Sequence, residues 1–156
     1  MLDHAWIILY MFSMPLKITE IFGFEKTTDI KLPLFASKIK AGFPSPADDY
    51  IDRRLDLNEL LIKHPASTFF LRVEGESMID AGIHSGDILI VDRSLEVKSD
   101  KIIIAVINGE LTVKRIIKDK DGLFLVPENS EYPIIRVTDE MEFQVWGVVT
   151  SSIHVF

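Results

Sequence analysis

The sequence predicts a mainly β domain of about seven short strands that follows an N-terminal arm. From Thr68 onward, short runs of β-branched and aromatic residues alternate with Gly, Pro, Asn or acidic residues, a pattern typical of strands separated by turns. The dipeptide Asn108-Gly109 lies between two such runs, and this pair is a strong local signal of a β-hairpin. Several prolines between residues 15 and 47 interrupt any long helix there, because proline lacks a backbone N–H donor.

The opening segment contains an uncharged run from Ala5 to Met14. This run is too short to cross a bilayer, which takes about 20 residues, and it lacks the positive region that begins a secretory signal. Three interpretations are open: a helix packed on the body, a membrane-surface segment, or sequence upstream of a start at Met14. The last is slightly favoured.

Residues 15–47 show no strong strand alternation and are predicted to form a mobile arm. A short helix is predicted at Leu57 to Lys63, where Asp56 and Glu59 occupy the positions of a capping box. Pro65 then ends the helix, since a helix rarely continues into a proline.

The predicted strands are short apolar or alternating runs bounded by turn residues. They lie at residues 68–75, 87–92, two runs within 101–116, 122–127, 132–137 and 143–149.

Composition narrows the classes of function. The chain is 47% hydrophobic and 26% charged, which is ordinary for a folded globular protein. Its net charge of -7 disfavours a large nucleic-acid-binding face, because such binding begins with neutralising phosphates. A protein partner is therefore more plausible than strong direct DNA binding.

The absence of cysteine excludes disulfides, thiolate nucleophiles and Cys-ligated zinc, and it fits a cytoplasmic location. The four histidines lie far apart along the chain, and none forms a close-spaced ligand pair: His4, His64, His84 and His154. We therefore expect no metal site and no cofactor.

Two residues carry candidate chemistry. Ser77 lies just beyond a predicted strand, where Gly75 permits an unusual backbone and nearby amides can face a developing oxyanion. Lys114 lies within an apolar strand. The alternatives are ordinary ones, because a serine after Gly-x is commonly a turn residue and a strand lysine is commonly a solvated edge residue. By the same reasoning, the Asp48-Asp49 pair is interpreted as solvated and Asp87 as a turn residue.

A chemical argument links the two residues. No histidine is near either of them in sequence, so an activated serine would most simply use lysine as its general base. A free lysine titrates near 10.4 and is charged at neutral pH, but burial can lower the pKa of a lysine by up to about 3–5 units. An apolar β environment is therefore the setting that a Ser77–Lys114 pair requires.

The chain resembles the UmuD family, which belongs to the LexA and signal-peptidase-like Ser-Lys self-cleaving proteins of peptidase group S24. The resemblance covers roughly Leu32 to Val149. Its most specific stretches are GFPSPADDYIDRRLDLNELLIKHPAS, GESMIDAGIHSGDILIVD, NGELTVKRI and WGVV.

The resemblance implies the fold and the site. It implies a curled antiparallel β domain of the LexA/UmuD C-terminal type, a scissile bond at Ala41-Gly42, Ser77 as nucleophile and Lys114 as general base. Residues 1–41 would then be an arm removed by self-cleavage, and residues 42–156 the dimerising peptidase-like domain. In the UmuD family the cut is typically at Cys-Gly, whereas Ala-Gly is the LexA-like form; both keep a small residue before glycine.

The resemblance also implies partners. The chain would form a homodimer, and RecA filaments on single-stranded DNA would stimulate its self-cleavage. The shortened chain would then associate with a Y-family polymerase subunit for translesion synthesis. Three other functions were considered. A LexA-type or phage-type repressor needs a helix-turn-helix before the cleavage site, and the 41 residues there show no two clean amphipathic helices. A signal peptidase needs a membrane-spanning segment, which the sequence does not show. A binding module would carry a vestigial Ser-Lys pair.

Overall fold

The computed structural model describes residues 16–25, 32–35 and 51–156. The chain divides into two compact units, one formed by residues 1–24 with 64–156 and the other by residues 25–63. The elements in chain order are β1 Lys17–Gly23, β2 Leu32–Phe35, β3 Ile51–Leu55, α1 Leu57–Leu61, β4 Thr68–Glu74, β5 Ile88–Asp92, β6 Ile102–Ile107, β7 Glu110–Asp119, β8 Gly122–Val126, β9 Ile135–Val137 and β10 Phe143–Ile153, with 3-10 turns at Pro65–Ser67 and Ile79–Ala81.

The larger unit contains one antiparallel sheet with the strand order β1-β4-β5-β10-β6-β7-β8-β9. Although four strands separate β1 from β7 in this order, the two strands contact each other. The register shifts within β1 and at two places in β10, and such bulges bend a strand and increase its twist. The predicted curled antiparallel domain is confirmed, and so are all seven strands predicted after residue 67.

Apolar side chains cover both faces of the central strands. Ile103 and Ile104 are neighbours in β6, yet both are fully buried and they belong to different clusters. Successive strand residues point to opposite faces, so β6 is buried on both sides. This double burial explains why β5 and β6 read as continuous apolar runs.

The predicted hairpin is confirmed at Asn108-Gly109. Both residues have positive φ, 49° and 83°, as a two-residue type I′ turn requires. Ile107 and Glu110 pair on either side of the turn, which fixes the register of β7 against β6.

The smaller unit contains a two-stranded antiparallel sheet, in which Leu32 pairs with Leu55, and the short helix α1. Asp56 caps α1 as predicted, because its Oδ1 accepts a hydrogen bond of 2.8 Å from the Asn58 amide. The helix ends at Leu61, two residues before the predicted end. No helix in the described parts of the chain is long and apolar enough to span a bilayer.

Three strands differ from the sequence-based expectation. Strands β1 and β2 lie within residues 15–47, where the sequence shows no strong strand alternation, and β3 was not predicted either. Strand β1 forms through pairing with a distant segment, with Ile21 opposite Leu71, so local alternation carries little of its signal. The Asp48-Asp49 pair lies outside the described residues.

Asp92 ties the end of β5 to the turn before β4. Its Oδ1 accepts hydrogen bonds from the Ser94 amide at 2.8 Å, the Ser94 hydroxyl at 2.6 Å and the Ser67 hydroxyl at 3.2 Å. Its Oδ2 lies 2.6 Å from His64 Nδ1. Burial raises the pKa of Asp92, but the hydrogen bonds from Ser94, His64 and Ser67 outweigh it and lower the pKa from 3.8 to about 2.

Replacement of Asp92 is expected to destabilise the fold in a pH-dependent way. Because the folded pKa is lowered, the carboxylate contributes stability above pH 3.8 and loses it as the pH falls through about 2. Asp92→Asn should therefore lower the free energy of unfolding by about 2 kcal/mol near neutral pH, and by less in acid. Urea unfolding across pH measures this, with the exposed Glu96→Gln as control. An Asp92→Asn deficit that is the same at all pH values would contradict the assignment.

Candidate active site

Ser77 is buried in the loop directly after β4. The strand ends at Glu74, and Gly75 follows with a φ of 110°, a conformation that side-chain-bearing residues rarely adopt. The Ser77 side chain is 0% exposed, and Met78 beside it is equally buried. The predicted unusual backbone at Gly75 is confirmed, and Ser77 is not a solvent-facing turn residue.

Lys114 lies in β7, which pairs with β6 on one side and β8 on the other. Lys114 is only 6% exposed. The alternative interpretation of Lys114 as a solvated edge residue is therefore wrong: β7 is an interior strand and the residue is buried.

The Lys114 amine contacts Ser77. Nζ lies 3.4 Å from Ser77 Oγ, 3.0 Å from Thr112 Oγ1 and 3.0 Å from the Val113 carbonyl oxygen. The carbonyl can only accept a hydrogen bond, and the Thr112 hydroxyl can accept one as well. These two acceptors occupy two N–H groups of a neutral amine, which leaves the lone pair to face the Ser77 hydroxyl.

Burial changes the protonation of Lys114. Loss of hydration lowers the pKa of the amine from 10.5 to about 8, because a charged ammonium is disfavoured away from water. At about pH 7.4, a pKa of about 8 leaves roughly a fifth of the amines neutral, against about one in a thousand at the ordinary pKa. The pair can therefore transfer a proton near neutral pH.

Ser77 also accepts a hydrogen bond from the N-terminal part of the chain. The Leu16 amide lies 3.3 Å from Ser77 Oγ, and the Leu16 side chain packs in the same buried cluster as Met78. Pairing of β1 with β4 places Leu16 there, since Lys17 lies opposite Glu74 at the end of β4. No local sequence pattern predicts this contact.

The loop after β8 holds the backbone on both sides of Ser77. The Glu128 amide donates to the Ser77 carbonyl at 2.9 Å, and the Glu128 carbonyl accepts from the Asp80 amide at 2.9 Å. The Asn129 side-chain amide donates to the Glu76 carbonyl at 3.1 Å. These hydrogen bonds fix the serine loop without using its hydroxyl.

The side chain of the same glutamate reaches the strand that carries the lysine. Glu128 forms an ion pair with Arg115, the neighbour of Lys114 in β7. Glu128 thus joins the serine loop to β7. Sequence reasoning missed this residue, because an exposed-looking glutamate after a strand has no distinguishing local pattern.

The structure brings together Ser77 and Lys114, which the sequence predicted as a pair from positions 37 residues apart. It does not describe the predicted scissile bond. Ala41 and Gly42 lie outside the described residues, so their position relative to Ser77 stays a prediction, and so do the boundary after residue 41 and the catalytic roles.

A second group of polar side chains lies near the end of the sheet. His84, Asp87 and His154 offer ligand atoms that all lie within 4.8 Å of one another. The sequence-based expectation of no metal site relied on spacing along the chain, and that spacing did not reveal the approach of His84 to His154. Asp87 does precede β5 as a turn residue, but it is only 1% exposed.

A curled antiparallel sheet that buries a serine hydroxyl against a lysine amine has the arrangement of a Ser-Lys peptidase-like domain. The family comparison agrees with that class, since the Peptidase S24-like model matches residues 33–150. The chain belongs to the Peptidase S24-like family and is a UmuD-like member of it.

Curated relatives cover most of the chain. Protein MucA of Salmonella typhimurium is 41% identical over 141 residues, which are 90% of this chain and 94% of MucA. Protein ImpA of Escherichia coli is 46% identical over 123 residues, 78% of this chain and 83% of ImpA. The LexA repressor of Delftia acidovorans is 37% identical over 125 residues, 80% of this chain but 55% of that repressor.

The buried state of Lys114 can be measured directly. We expect its side-chain amine to titrate with a midpoint of about 8, because burial lowers the pKa. NMR of the lysine side chains across pH measures the midpoint, and the signal missing from Lys114→Met identifies the residue. A midpoint at 10.5 or above would show that the amine is hydrated and would contradict the buried contact.

Proposed function

We propose that this chain is a self-cleaving accessory protein of SOS mutagenesis, in which Ser77 and Lys114 cut the Ala41-Gly42 bond. The observation that carries the proposal is the 3.4 Å contact between Lys114 Nζ and Ser77 Oγ, both of which belong to buried residues. Membership of the Peptidase S24-like family supports self-cleavage, and the similarity to MucA and ImpA supports a UmuD-like role.

The proposed reaction begins with a neutral Lys114. Its amine takes the hydroxyl proton as Ser77 Oγ attacks the Ala41 carbonyl carbon, and a tetrahedral oxyanion forms. When the oxyanion collapses, the bond to the Gly42 nitrogen breaks and the lysine ammonium returns the proton to the leaving amine. Water, activated by the same amine, then hydrolyses the Ser77 ester and releases the Ala41 carboxylate.

The surroundings of Lys114 suit this reaction. Thr112 and Val113 orient the amine, and burial rather than a nearby charge lowers its pKa. A base that is neutral only part of the time gives a slow reaction. Slow chemistry suits a single cut in the enzyme's own chain better than repeated digestion.

The partners follow from the family resemblance. We propose that the chain is a cytoplasmic homodimer, that RecA filaments on single-stranded DNA stimulate the cut, and that the shortened chain joins a Y-family polymerase for translesion synthesis. The net charge of -7 supports protein partners over direct contact with a nucleic-acid backbone. RecA would favour the state in which the scissile bond reaches Ser77, and it would leave the chemical step unchanged.

A self-cleaving repressor is the second candidate, because the chain is also similar to a LexA repressor. The match covers 55% of that repressor, so the likeness does not extend over its whole length. Sequence-specific binding of the intact chain to an operator would favour the repressor over the polymerase partner.

Self-cleavage should depend on both side chains and on pH. The rate should rise about tenfold per pH unit below about 8 and level off above it, because only the neutral amine accepts a proton. Ser77→Ala and Lys114→Ala should each lower the rate by about a hundredfold or more, and Lys114→Arg should also fail, since guanidinium keeps its proton. Mass spectrometry over time would follow the product that begins at Gly42.

The exposed lysine of the same strand provides a matched control. Lys118 is exposed, so Lys118→Ala should cleave at the rate of the unchanged chain. An intact mass for the unchanged chain at about pH 10, where a lysine is largely neutral, would show that the pair is vestigial. Cleavage by Lys114→Arg at the normal rate would show that Lys114 is not the base.

RecA should change the amount of cleavage without moving its pH dependence. RecA is proposed to increase the fraction of chains in which the scissile bond reaches Ser77. Filaments on single-stranded DNA should then raise the cleavage rate at each pH and leave the midpoint of the pH profile at about 8. The measurement is the pH profile with and without filaments, and a shifted midpoint would contradict action on population alone.

Co-purification of a Y-family polymerase with residues 42–156, compared with operator binding by the whole chain, tests the partner.

A further inference from the structure

Two histidines and a buried aspartate meet where β5 begins and β10 ends. His84 and Asp87 lie in the turn before β5, and His154 directly follows β10. Antiparallel pairing of β10 with β5, with Ile153 opposite Ile88, brings the two ends together. The sheet topology therefore places the three side chains together where β5 starts and β10 finishes.

The carboxylate of this cluster is fixed. Asp87 is 1% exposed, and its Oδ2 accepts hydrogen bonds of 2.9 Å from the His84 amide and 2.9 Å from the Ser152 hydroxyl. Its Oδ1 lies 2.5 Å from His154 Nδ1. Burial and these hydrogen bonds hold the carboxylate in one orientation.

The two imidazoles lie on the solvent side of that carboxylate. The His84 and His154 side chains are 47% and 41% exposed, and their ring centroids are 5.0 Å apart. His84 Nδ1 lies 3.9 Å from Asp87 Oδ2, too far for a hydrogen bond. His84 can therefore rotate toward a shared ligand without losing a strong contact.

We propose that His84, Asp87 and His154 form a binding site for a divalent transition-metal ion of the zinc type. Imidazole nitrogen and carboxylate oxygen are ligands for Zn²⁺, which sits about 2.0–2.2 Å from each of them. Ions such as Mg²⁺ and Ca²⁺ prefer sites made of oxygen ligands. Three protein ligands would leave a fourth position for water, so the site is of the open type.

The geometry fits an ion after a small movement. Tetrahedral ligands at such distances lie about 3.4 Å apart, and the present ligand atoms lie within 4.8 Å of one another. The hydrogen bonds from Ser152 and the His84 amide hold the carboxylate from behind, as the outer partners of metal ligands commonly do. The exposed imidazole of His84 must move toward the ion, and His154 Nδ1, now 2.5 Å from Asp87 Oδ1, must move away from that oxygen to the wider spacing.

The chain contains a matched comparison for this site. His64 Nδ1 lies 2.6 Å from Asp92 Oδ2, and Asp92 is likewise buried and held by serine hydroxyls. That pair has a single imidazole. Among the described residues, it has no third histidine or carboxylate close enough to complete a three-ligand metal site. A histidine paired with a buried aspartate is thus present at both places, and the second histidine distinguishes the proposed site.

The test is metal titration of the tag-free intact chain after removal of bound metal with a chelator. Zn²⁺ binding is followed by calorimetry, and Co²⁺ binding by its visible absorption, which reports nitrogen and oxygen ligands in a tetrahedral arrangement. We expect one ion per chain. His84→Ala and His154→Ala should each weaken binding by at least about tenfold, whereas His64→Ala should bind as the unchanged chain does.

Both ligand variants replace exposed side chains, and circular dichroism checks that each remains folded. The proposal is overturned if the unchanged chain binds no Zn²⁺ at millimolar concentration, if His84→Ala and His154→Ala bind as tightly as the unchanged chain, or if His64→Ala removes the binding. Loss of self-cleavage is not a readout here, so failure of this site and failure of the proposed function are separate results.

Discussion

Burial of the Lys114 amine determines what this side chain can do chemically. The amine can act near neutral pH only where water is excluded, and the lysine lies in an interior strand of a sheet whose central strands are covered on both faces. Curling of the sheet brings β1 against β7. The curl matters chemically, because the strand that follows Leu16 then lies against the strand that carries Lys114.

The serine is fixed by groups that lie far apart in the sequence. Glu128 and Asn129 hold the backbone around Ser77, while Leu16 donates its amide to the hydroxyl oxygen. A serine oxygen has two lone pairs, and one of them is engaged by Leu16. The segment that begins β1 is therefore part of the candidate site, since the Leu16 amide lies beside the Ser77 hydroxyl.

Much of the body could be predicted from the sequence because its signals are local. The Asn108-Gly109 turn, the Asp56 cap and the apolar runs after residue 67 each specify structure through neighbouring residues, and all were confirmed. Strand β1 could not be predicted in that way, since its pairing with β4 determines it. The proximity of Ser77 to Lys114 was inferred from chemistry, because each residue gave a weak signal alone.

The missed residues share a physical reason. His84 and His154 meet only because β5 and β10 are neighbours in the sheet, and Glu128 reaches Ser77 through its backbone, which carries no residue-specific signal. Spacing rules find ligands that share one helix or one turn. They do not find ligands that strand order brings together, so an expectation of no metal site drawn from spacing is weak for a β protein.

The stability of the fold and the chemistry of the site oppose each other at Lys114. A lysine whose pKa falls from 10.5 to about 8 on folding binds its proton more weakly in the folded state. The free energy of unfolding therefore rises as the pH increases from about 8 toward 10.5 and is lower below that window. A shift of this size corresponds to about 3 kcal/mol below pH 8, a large fraction of the 5–15 kcal/mol typical of a domain. An aliphatic side chain at this place in β7 would avoid the penalty, so packing alone does not explain a lysine there, whereas the proposed role as a base that loses its proton near neutral pH would.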